Sequence, residues 1–95
     1  MKIEKRLLYE HCARYLKRFI IAKRMNADHV FEAYDNFLVV LRTLQASGIF
    51  TWDQVEKLKF SNVDADGTSG NREVLEHLES QRLEILKKFL DKVED

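Results

Sequence analysis

Val30-Phe31-Glu32-Ala33-Tyr34-Asp35-Asn36-Phe37-Leu38-Val39-Val40-Leu41-Arg42-Thr43-Leu44 is the stretch that decides the fold. Val30, Phe31, Tyr34, Phe37, Leu38, Leu41 and Leu44 recur at three- and four-residue spacing, the period of one helix face. Val39 and Val40 widen that stripe until the middle of the helix is apolar nearly all round. A helix of that kind belongs in a core or in an interface between chains. The chain contains no proline, so nothing forbids helix over long stretches, and its three glycines, Gly48, Gly67 and Gly70, fall in two short segments that are the natural breaks.

Reading toward the C-terminus, Ser47-Gly48 ends this helix, with Gly48 suited to the left-handed position just past a helix end. Thr51 and Gln54 have capping-box spacing, and Phe50 and Val55 stand where a hydrophobic staple closes. A short helix over 52–60 follows. Residues 61–70 read as a polar loop. Residues 71–93 return to helix, with Val74, Leu75, Leu78, Ile85, Leu86, Phe89 and Val93 expected on its inner side and Glu84 and Lys88 spaced for an ion pair. Toward the N-terminus, Asn26 is placed to cap a helix over 27–46, with Asp28 in its first turn. Residues 2–24 form another helix, with Leu8, Cys12, Tyr15, Leu16 and Phe19 on one stripe. Lys2, Arg6, Lys17 and Arg24 gather opposite that stripe, and Ile3, Leu7 and Ile21 fall near the cations rather than on it. The first helix is therefore expected to be contacted on two sides. The predicted fold is all-α: a small helical bundle of three long helices and one short helix, forming one domain over residues 1–95.

The net charge is zero but unevenly spread. Residues 1–25 carry +6, residues 26–66 carry −4 and residues 67–95 carry −2. The basic first helix is either neutralised by the acidic helices or offered as a binding face. Cys12 is the only cysteine, which rules out an internal disulfide and with it a small disulfide scaffold. The opening residues Met1 to Arg6 show no apolar signal region, and the longest apolar run, Phe37 to Leu41, is far short of the ~20 residues that span a bilayer. A cytoplasmic protein without membrane attachment is expected.

The segment from Asn62 to Glu73 resembles an EF-hand calcium loop, with Asn62, Asp64, Asp66, Gly67 and Glu73 at the first, third, fifth, sixth and twelfth positions. Asn62 stands where that family usually has aspartate, Ser69 stands where it usually has an aliphatic residue, and no second loop is present. The resemblance implies weak calcium binding by Asn62, Asp64, Asp66 and Glu73. Without it, the same residues read as an Asp- and Gly-rich turn before the last helix. The run from Leu41 to Leu58 also reads as the start of a helix-turn-helix, which would place Asn71 and Arg72 at the head of a recognition helix beginning near Thr68. Glu73, Glu76 and Glu79 on that helix would repel phosphates, so a nucleic acid would instead meet Lys2, Arg6, Arg14, Lys17 and Arg24.

His11 and Cys12 are adjacent and diverge by about 100° on a helix, and His29 and His77 have no partner at ligand spacing, so no metal site is expected from them. No phosphate loop or nucleophile motif occurs, and no catalysis, cofactor or small-molecule substrate is expected. Phe50, Trp52 and Phe60 flank the short helix and are expected to pin it to the core rather than to anchor a partner. What remains is a non-catalytic protein–protein interaction module, a small regulator, inhibitor or adaptor. It is expected to be homodimeric, with Ile3, Leu7, Ile21, Val39 and Val40 facing the partner. A nucleic-acid-binding regulator is the alternative.

Overall fold

The computed structural model describes residues 4–25, 27–60 and 72–93. Among them are four helices and no strand: α1 (Lys5–Arg24), α2 (Val30–Ala46), α3 (Trp52–Leu58) and α4 (Arg72–Asp91). This is the all-α bundle of three long helices and one short one that the periodicity predicts. α1 is central and packs against both α2 and α4, while α3 bridges the ends of α2 and α4. α2 returns along α1 after a short turn. α4 also runs against α1, since Lys5 Nζ reaches Asp91 O (3.5 Å) at one end while Phe19 meets Phe60 and Phe60 lies under Arg82 at the other.

The turn between α2 and α3 is made by the residues that stop one helix and start the next. At the end of α2, Ile49 N–H bonds Leu44 O (3.0 Å) and Gly48 N–H bonds Gln45 O (3.0 Å), the paired bonds of a Schellman ending. This geometry requires a left-handed residue, and Gly48 supplies φ +81°. Two residues later Thr51 Oγ1 accepts from Gln54 N–H (3.2 Å) and Thr51 N–H donates to Gln54 Oε1 (2.9 Å), closing the capping box. Phe50 and Val55, the expected staple, are both buried.

The start of α2 differs from expectation. The helix begins at Val30 rather than near residue 27, and His29 at its N-cap makes no side-chain capping bond. Ala27 N–H bonds Ala22 O (2.9 Å), so the backbone here completes the end of α1 before α2 can begin. The proposed cap, Asn26, lies outside the described residues.

The core is one cluster. Cys12, Leu16, Phe19 and Ile20 of α1 meet Phe37, Leu41 and Leu44 of α2, Phe50, Val55 and Leu58 around α3, and Leu75, Leu86 and Leu90 of α4. Full burial of each large side chain contributes ~1.5–3 kcal/mol relative to exposure. An aromatic knot holds the far end. Phe19 lies 4.9 Å from Tyr34 and 5.0 Å from Phe60, centroid to centroid. The Tyr34 hydroxyl donates to Phe60 O (2.8 Å) and accepts from Phe60 N–H (3.0 Å), so one side chain of α2 holds the strand of chain leaving α3. Arg82 clamps the same point from α4. Its guanidinium lies 4.2 Å over the Phe60 ring and donates to Lys59 O (3.1 Å).

Two expectations about faces and one about an ion pair are corrected. Phe31 and Val74 are exposed, not on inner stripes. Phe31 sits more than 100° around the helix from the face set by Phe37, Val40 and Leu44, so its spacing to Tyr34 and Leu38 traces the edge of the stripe. Val74 lies similarly to one side of Leu75, which takes the buried place. The ion pair expected between Glu84 and Lys88 is not formed; Arg72–Glu76 (2.8 Å) is the i,i+4 pair that α4 does close.

Candidate interaction surface

Because α1 is wedged between α2 and α4, its inner arc is consumed by the core and its outer arc forms a ridge. The inner arc holds Cys12, Ala13, Leu16, Phe19, Ile20, Ala22 and Lys23. Along the outer arc Leu7 is 60%, Ile21 46% and Met25 70% exposed. Leu7, Arg14 and Ile21 follow one another at seven-residue intervals, a spacing that drifts only ~20° per step around a helix, so the three form one nearly straight line. Arg6, Lys17, Arg18 and Arg24 are exposed on either side of it, as are Glu4 and Glu10.

The acidic helices do not neutralise these cations. Arg14, Lys17 and Arg24 make no ion pair with any described residue. Arg6 pairs with Glu10 on its own helix (3.2 Å), an exposed i,i+4 contact that contributes only a few tenths of a kcal/mol. Arg18 lies 5.3 Å over the Tyr15 ring. The outer side of α1 therefore combines exposed apolar side chains with cations left available for another molecule.

The residues expected to face a partner separate into three groups. Leu7 and Ile21 are exposed on the α1 ridge and Val39 is 60% exposed on α2. Val40 is buried at 8%, and its assignment to a partner face is corrected: it packs inward with Phe37, Leu41 and Leu44 because adjacent helical residues diverge by about 100° and only one of the two valines can point out. Ile3 lies outside the described residues. Of the residues expected to meet a nucleic acid, Arg6, Arg14, Lys17 and Arg24 are exposed on α1 and Lys2 lies outside the described residues. Arg72 is turned onto Glu76, and Thr68 and Asn71 lie outside the described residues. Of the calcium-loop residues, Asn62, Asp64 and Asp66 lie outside them too, and Glu73 is exposed in the first turn of α4. Among the described residues no group of three or more His, Cys, Asp and Glu side chains converges as a metal site.

Three open grooves flank the helices. A groove of about 580 Å³ between α1 and α2 is lined by Tyr15, Arg18, Ile21, His29, Glu32, Ala33 and Asn36. One of about 360 Å³ lies between Lys5, Arg6 and Tyr9 of α1 and Lys87, Leu90 and Asp91 of α4. A third, of about 430 Å³, lies beside the Gly48 turn against Phe89 and Val93. Cys12 lines none of them. Burial pushes its thiol up to about 12, against a smaller lowering by a backbone hydrogen bond. It is a core side chain held in its neutral form.

Sequence reasoning missed Met25 and Arg18 as parts of this surface, although both fall on the outer arc when the helix is drawn at 100° per residue. It also missed Arg82, for which hydropathy carries no signal, since a buried arginine depends on a carbonyl from elsewhere in the chain coming to meet it. Trp52, expected in the core, is 63% exposed, while Phe50 and Phe60 are buried as expected. Trp52 occupies the first turn of α3, where Val55 and Leu58 already take the inward positions. No helix among the described residues is long and apolar enough to cross a membrane. No family model, curated protein or solved structure matches the chain.

Proposed function

We propose that this protein is a non-catalytic protein–protein interaction module that works through the outer face of α1, and that it associates with a second copy of itself. The observation that supports the reading is the α1 ridge. Leu7 and Ile21 on α1, and Met25 just past its end, are held in solvent on the side away from the core. A rigid helix face that mixes apolar and charged side chains docks onto another helix at little conformational cost. The reading places the protein in the cytoplasm as a small regulator or adaptor.

Nucleic-acid binding is the second reading, favoured by the availability of Arg14, Lys17 and Arg24. Two features weigh against it. Glu4 and Glu10 lie among the cations, and phosphates offer nothing to Leu7, Ile21 and Met25. Binding to a labelled duplex across a salt series separates the readings, because phosphate contacts weaken steeply as salt rises.

Sedimentation equilibrium from micromolar to sub-millimolar chain tests the leading reading. The wild type associates toward twice its 11.3 kDa mass, and a variant carrying Leu7→Glu, Ile21→Glu and Met25→Glu remains monomeric. All three positions are exposed, so the variant keeps its helical circular dichroism. Association of this variant at wild-type strength would remove α1 from the account.

A further inference from the structure

Resting on that reading, we infer that two copies pair their α1 helices antiparallel across a two-fold axis at Arg14, so that Leu7 of one copy meets Ile21 of the other. The inference comes from the pattern of residues about position 14. Leu7 and Ile21 are each seven positions away from it, and Glu10 and Arg18 four. An antiparallel two-fold pairing brings together residues equally far on either side of its centre. It therefore sets apolar Leu7 on apolar Ile21, twice. It also brings Glu10 to the level of Arg18, twice. All of these side chains are exposed on α1 and available for such contacts.

A parallel pairing of the same faces sets every residue on itself. Arg14, Lys17, Arg18 and Arg24 would each meet their own copy, and like charges brought together in this way repel. The antiparallel register keeps one such contact at its centre, Arg14 on Arg14. The Arg6–Glu10 pair does not obstruct it, because an exposed pair of this kind is readily exchanged or shared.

The ridge geometry admits the pairing. α2 and α4 both pack on the inner arc of α1, which leaves Leu7, Arg14 and Ile21 exposed, Ile21 at the edge of the α1–α2 groove. Two such ridges approach to the ~8–10 Å interaxial distance of packed helices. Contact along one helix of a body 41 Å long and 21 Å wide is smaller than the ~800 Å² per partner of a standard interface, so the pairing is a weak, reversible one.

Variants that each add one cysteine, together with a short bismaleimide, read the register, with the wild type, whose Cys12 is buried, as the blank. Arg14→Cys crosslinks to itself. Leu7→Cys crosslinks to Ile21→Cys when the two proteins are mixed, and neither crosslinks alone, because equivalent positions at residue 7 lie about 21 Å apart in this register. Arg14→Leu removes the central repulsion and tightens association about tenfold, a change of ~1.4 kcal/mol. Self-crosslinking of Leu7→Cys with association intact would overturn the register and leave the interaction module standing. So would an Arg14→Leu variant that associates no more tightly than wild type. A wild type that stays monomeric to sub-millimolar concentration would overturn both the register and self-association.

Discussion

Replacing Tyr34 by phenylalanine removes one oxygen atom and two hydrogen bonds. The hydroxyl donates to Phe60 O at 2.8 Å and accepts from Phe60 N–H at 3.0 Å, at a residue only 5% exposed. The ring contacts to Phe19 and Phe60 are retained in Tyr34→Phe, so the substitution isolates the hydroxyl. Each lost bond costs about 0.5–1.5 kcal/mol net, and a backbone group left buried without a partner costs more, so the expected loss is about 1–3 kcal/mol. In a domain of this size that lowers the melting temperature by roughly 4–20 °C. Urea denaturation followed by far-ultraviolet circular dichroism measures it, with Tyr15→Phe as the control. Tyr15 is half-buried and its hydroxyl makes no hydrogen bond among the described residues, so that variant stays within ~0.5 kcal/mol of wild type. A Tyr34→Phe variant as stable as Tyr15→Phe would refute the claim that this hydroxyl fastens the end of α3 to α2.

The remaining predictions concern the turns and the buried thiol. Gly48→Ala forces a Cβ into a left-handed backbone at φ +81°, and since no atom stands within 4 Å of that Cβ the cost is conformational, about 1–2 kcal/mol by thermal melting. Thr51→Ala opens the capping box and costs ~1 kcal/mol in the same assay. The Cys12 thiol reacts with a thiol reagent orders of magnitude more slowly in the native protein than in denaturant, and equal rates would contradict its burial. Its pKa is raised by folding from 9.0 to about 12, so the folded state favours the protonated thiol. That contribution is complete below pH 9 and is lost as the pH climbs toward 12, which makes the wild type lose stability relative to Cys12→Ala over that window.

Fold class and the α2–α3 turn were legible because they rest on local chemistry. The Gly48 ending, the Thr51–Gln54 box and the Phe50–Val55 staple depend only on residues within a few positions of one another. What sequence could not supply was the direction from which each helix is covered. Phe31 and Val40 exchange their expected places because the core side of α2 is set by where α1 lies, and small residues such as Ala33 mark the close approach that large apolar spacing hides. Arg82 and Tyr34 act on Lys59 and Phe60, more than twenty residues away in the chain, and no periodicity reports such a meeting. The candidate surface was legible in part: the cations and Leu7 and Ile21 stand opposite the apolar stripe on a helical wheel. That Arg14, Lys17 and Arg24 make no ion pair with described residues of the acidic helices emerged only once those helices were placed.

The account centres on the outer face of α1, and the association constant of three proteins measured side by side by sedimentation equilibrium tests it most directly. The outer face of α1 predicts a wild type that self-associates below sub-millimolar concentration, weakened about a hundredfold or more by Ile21→Glu and tightened about tenfold by Arg14→Leu. Opposite shifts at two exposed positions on one helix line identify that line as the contact. A monomeric wild type, or an equilibrium that neither substitution moves, would contradict it.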